Sequence, residues 1–107
     1  MSIDDGDLPG AAGTVADEHP ELWAAYQELG RQMSAGGPLS ERERHLVGLA
    51  YAIAAQSEGG THSHTRRGLA DGLSTAELEH VALLAITTLG WPQAIKGSTW
   101  VRDVTRN

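Results

Sequence analysis

The stretch from Leu46 to Ala55, LVGLAYAIAA, constrains this chain more than any other. It follows Ser40-Glu41-Arg42-Glu43, a capping box in which a serine oxygen takes an orphan amide and a glutamate reaches back. The pattern predicts a helix running to about Gln56. Its apolar residues do not keep to one stripe, and a helix that is apolar all round needs cover on every side. The run is too short to cross a bilayer. In a chain of 107 residues, which fits one domain, such cover is easiest to arrange with partner subunits. A homo-oligomer is therefore expected.

The rest of the chain reads the same way. There is no Phe, only two Tyr and three Trp, and the 40 % of hydrophobic residues are dominated by Ala and Leu. These are strong helix formers, while strand-favouring residues are sparse. Pro20 suits a first helical turn, and Leu22, Trp23, Tyr26, Leu29 and Met33 then recur at helical spacing to about Ser34–Gly37. SEGG at 57–60 interrupts the pattern. Thr61 is expected to cap a helix carrying HSHTRRGLADG, with Gly72 just past its end. Ser74-Thr75-Ala76-Glu77 is a second capping box, opening a helix that carries Leu78, Val81, Ala82, Leu84, Ala85 and Leu89. Gly90-Trp91-Pro92 ends it and restarts a last helix through Ile95, Trp100, Val101 and Val104. Residues 1–16 show no periodicity and are expected to form a disordered or loosely docked arm. The expectation is an all-α bundle of about five helices over residues 17–107.

Charge and cysteine content narrow the function. Eight Lys and Arg against fourteen Asp and Glu leave a net charge of −6, which disfavours nucleic acid and anionic membranes as partners. The absence of cysteine excludes disulfides, thiolate metal sites and cysteine nucleophiles. No basic segment followed by an apolar one opens the chain, so a cytoplasmic protein is the plain reading.

The chemistry concentrates in QSEGGTHSHTRR, residues 56–67. Three kinds of site fit these residue types. A divalent metal ion is the one cofactor they could hold, through Glu58, His62 and His64, although in a helix the two imidazoles stand about 200° apart. General acid/base catalysis would use His64, with Ser57 and Gly60 on its face and Thr61 supplying a second hydroxyl. Anion binding would use Thr61 and the glycine amides at a helix start, with His62, Arg66 and Arg67 adding positive charge. The bland alternatives are solvated charges at 58, 62, 66 and 67, and a hydrogen-bonded core or interface histidine at His45, in line with Leu49 and Ile53.

The order of LSERERHLVGLAYAIAAQ and HTRRGLADGLSTAELEHVALLAITTLGWPQAI resembles the carboxymuconolactone decarboxylase-like family, which includes alkyl hydroperoxidase D. The resemblance spans about His19 to Asp103 and implies an alkyl hydroperoxidase D-like helical fold assembled as trimers or hexamers. Redox members carry a C-x-x-C pair with a histidine four residues after the second cysteine. Here those places hold Ser57, Gly60 and His64, so thiol peroxidase chemistry is excluded. The redox members' relay glutamate corresponds to His45. The decarboxylase branch lacks the pair too, and implies His64 as proton donor with Arg66 or Arg67 near a carboxylate. Three functions follow as expectations. One is a thiol-independent decarboxylase or isomerase acting on a small carboxylated molecule, in a pocket lined by His45, Ser57, Glu58, His62 and His64. The others are a metal-dependent enzyme and a non-catalytic binding or assembly protein.

Overall fold

Ala11, Ala12 and Ala16 are strong helix formers. In the computed structural model, which describes residues 10–107, they lie in helix α1 (Gly10–Glu18). Residues 10–16 of the expected disordered or loosely docked arm are thus helical, with alanine propensity sufficing where an apolar stripe is missing. The first nine residues of that arm lie outside the described residues. Next, α2 (Pro20–Ala35) begins with proline in its first turn and ends at Gly36, as the sequence predicts.

The chain divides into two units, residues up to 41 and residues 42–107. In the first, α1 packs on α2, and Trp23 and Tyr26 stack with ring centroids 5.7 Å apart. Neither helix contains a buried residue, and Leu22, Tyr26, Leu29 and Met33 are exposed.

The second unit holds the core. It is built from α3 (Glu41–Ala54), α4 (Glu58–Ala70), α5 (Thr75–Leu84), α6 (Ile86–Leu89) and α7 (Trp91–Thr105). Leu49 and Ile53 of α3, Leu73 of the turn, Leu78 and Ala82 of α5, and Ala94 and Val101 of α7 form one buried cluster. Small residues let the helices approach closely. A Cβ added at Gly97 would lie 2.7 Å from Ile53 Cγ2, so α7 passes α3 only as glycine. The core is modest, and polar links tie its ends. Thr105 and Arg106 hold Glu79 of α5 through contacts of 2.8–3.1 Å, and Arg42 pairs with Glu77.

The expected helical bundle is therefore present, and no strand occurs among the described residues. Among the described residues there are seven helical segments against the expected five or so, because α1 is added and the run from Thr75 to Leu89 breaks at Ala85. There the Ala85 amide donates to the Ala82 carbonyl, three residues back, which tightens the turn and separates α5 from α6. Burial of α3 also differs from the sequence reading. His45, Leu49, Ala52 and Ile53 are buried, while Val47, Ala50, Tyr51 and Ala54 on the other side stay exposed.

Candidate functional site

The geometry begins with a reversal. Gln56 has φ +56°, unusual for a residue with a side chain, and its side-chain Nε2 donates to the Ile53 carbonyl at 2.8 Å. The chain then enters α4 at once. Ser57, rather than the expected Thr61, is the N-cap: its Oγ accepts from the Gly60 amide at 3.0 Å. The two glycines do not delay the helix, because its first-turn amides have no intrahelical carbonyl to meet. Gly60 is required there, since an added Cβ would sit 2.7 Å from Ser57 Oγ. Thr61 is fully buried and its hydroxyl donates to the Ser57 carbonyl at 2.7 Å.

These bonds revise the anion reading. The Gly60 amide is already used by Ser57, and Arg67 lies seven residues further along, roughly 10 Å at the rise of an α-helix. Arg66 and Arg67 therefore do not join the helix start in a single cradle. Glu58 is exposed in the first turn.

The metal reading is corrected as well. His62 turns to α7, where its Nε2 lies 2.9 Å from Asp103 Oδ2. His64 points elsewhere, with Arg67 Nη2 3.5 Å from its Nδ1. Among the described residues, Glu58, His62 and His64 do not come close enough to share an ion. The physical reason is the helix itself, which sends residues two apart to nearly opposite sides.

What the structure does assemble is a polar cluster around His64. The ring is half-buried, and its pKa is lowered from 6.5 to about 4, by burial first, then by Arg67 and by His45. His64 is thus a neutral imidazole near pH 7. His45, only 1 % exposed, has its Nε2 2.6 Å from Asp71 Oδ2. Asp71 is held by the end of α4. The Leu73 amide donates to Gly68 at 2.9 Å and the Gly72 amide to Leu69 at 3.1 Å, with Gly72 at φ +96°, a Schellman turn. Sequence reasoning missed Asp71. An Asp-Gly pair after a helix reads as a turn, and the only signal for more was a buried-type histidine one helix away.

The sequence also missed an apolar groove. A groove of about 560 Å³ runs between α3 and α5–α6, lined by Leu46, Val47, Ala50, Tyr51, Val81 and Leu84, with Glu77, His80 and Thr88 as polar members. None of the expected pocket residues, His45, Ser57, Glu58, His62 or His64, lines it.

A family model for carboxymuconolactone decarboxylases matches residues 20–103, which takes in α2 to most of α7 and the whole polar cluster. The chain belongs to the carboxymuconolactone decarboxylase family. A crystal structure from Burkholderia xenovorans LB400, described as a candidate carboxymuconolactone decarboxylase, superimposes with a TM-score of 0.69. The two share 28 % identity over 96 % of this chain and 84 % of that one. No curated protein matches. This member of the decarboxylase family has no cysteine, so the thiol chemistry excluded from the sequence stays excluded. No helix among the described residues is long and apolar enough to cross a membrane.

Proposed function

We propose that this chain is a thiol-independent lyase or isomerase of the decarboxylase family that acts on a small carboxylated compound, with His64 as its acid/base. The observation that carries the reading is the placement of a half-buried imidazole with a guanidinium nitrogen 3.5 Å from its Nδ1, in surroundings that lower its pKa. Arg67 offers a carboxylate its counter-charge. An anion bound there offsets the guanidinium and raises the proton affinity of His64, so the proton arrives with the substrate. In a decarboxylation the bond to the carboxylate carbon breaks and carbon dioxide leaves. Its electron pair passes into the lactone carbonyl as an enolate, and His64 returns a proton to carbon. Thr61 is committed to the helix, because its hydroxyl already donates to the Ser57 carbonyl, and Ser57 Oγ serves as the helix cap.

Self-association belongs to the same proposal. Val47, Tyr51 and Leu84 line an open groove and are 37 %, 72 % and 59 % exposed, and covering them favours a trimer or hexamer. The test of function is carbon dioxide release from a panel of carboxylated lactones, by the chain and by His64→Gln. Turnover that disappears in a folded His64→Gln variant supports the enzyme. Turnover by neither, with assembly intact, favours the non-catalytic binding or assembly protein.

A further inference from the structure

Asp71 sits at the end of α4 with ordinary backbone angles, φ −94° and ψ 13°, and its amide is bonded to the Arg67 carbonyl. The backbone turn therefore does not need a carboxylate. The side chain, 41 % exposed, nevertheless reaches the almost fully buried His45 of α3 at 2.6 Å. A carboxylate has only acceptors to offer, so the proton in this bond belongs to His45 Nε2. Bonds of this length to an ionised group are the strong ones. The other ring nitrogen, Nδ1, is closed to solvent. Asp71 caps the helix that carries His64. Its carboxylate thus ties the buried imidazole of α3 to the end of α4.

We propose that Asp71 is a positioning residue for this pair of imidazoles: by accepting the Nε2 proton of His45 it fixes that ring's tautomer and orientation at the end of the helix that carries His64. The catalytic meaning rests on the reading of His64 as acid/base; the geometry of the pair does not. Asp71 acts through His45 and touches no substrate in this account. Its removal should slow the chemical step while leaving substrate binding nearly unchanged.

The experiment is imidazole NMR on the full 15N-labelled chain, comparing wild type with Asp71→Ala and Asp71→Asn. The wild type should show His45 protonated at Nε2, with a downfield proton that exchanges slowly with water. In Asp71→Ala that proton should exchange at least ten times faster and the tautomer should become mixed. Asp71→Asn keeps the size of the residue and should restore order without the downfield position, which separates charge from packing. An unchanged His45 signal and tautomer in a folded Asp71→Ala variant would overturn the assignment. Steady-state kinetics divides the two claims. A fall in kcat of roughly tenfold or more with KM held supports both. A changed His45 signal with no dependence of turnover on His64 supports the positioning of His45 and overturns the catalytic reading alone.

Discussion

Two faces of the second unit differ in almost every respect. The α4 face that carries His64 is polar, and two imidazoles there, one buried and one half-buried, each stand beside a charged neighbour: His45 of α3 on Asp71 and His64 on Arg67. The α3–α5 groove is apolar and open, with tyrosine, valine and leucine at its surface. The apolar groove and the polar cluster are on different residues. An apolar groove would point to Tyr51 and Leu84, whereas a half-buried imidazole beside a guanidinium points to His64.

That division can be broken by variants that act on one face and not the other. The largest effect should come from charging the groove. Tyr51→Glu with Leu84→Glu puts two like charges on a surface proposed to be shared between subunits, and should leave only monomer by light scattering, with helical circular dichroism retained. A stable oligomer of wild-type size would remove the groove from the interface. Gly97→Val tests the layer beneath. The added carbons meet the buried Ile53 side chain and should cost roughly 2–3 kcal/mol in urea unfolding. Little or no loss would mean that α7 and α3 are less closely packed than described.

Smaller effects sharpen the polar face. Arg67→Gln removes a cation beside His64, so its NMR titration midpoint should rise from about 4; His45→Gln should raise it by less, because Arg67 is the larger of the two charge effects. Reversal of that order would place the charges differently. The same shift predicts a pH dependence of stability. Unfolded, His64 takes a proton near 6.5; folded, it does so only near 4. Its contribution is therefore fully present above about 6.5 and is lost as pH falls towards 4. His64→Gln should flatten that part of the urea-midpoint profile. The smallest change is Ser74→Ala, which removes the serine side of the capping box on α5 and should cost about 1 kcal/mol without touching either face.

Much of the scaffold was legible because caps and turns are local. Ser74 and Glu77, Gly72, Gly90 and Pro92 do what their spacing implies, and each signal needs only a few neighbouring residues. The start of α4 was misread because Ser57-Glu58-Gly59-Gly60 looks like a break, although glycines in a first turn lose no ladder bond. The site was half legible. His64 and Arg67 are one turn apart on a helix, so sequence spacing could pair them. Asp71 and His45 are 26 positions apart, and nothing local announces their contact. The groove was illegible for a different reason. LVGLAYAIAA is apolar on every side, so its sequence does not say which side this chain covers and which it leaves open.

The central claim is that the α4 face, and not the groove, carries the chemistry. The direct measurement is carbon dioxide release from carboxylated lactones by wild type, His64→Gln and Leu84→Ala, each checked for fold by circular dichroism. The account predicts that release is lost in His64→Gln and kept in Leu84→Ala. Release that survives in His64→Gln and fails in Leu84→Ala would contradict it and move the active site to the groove.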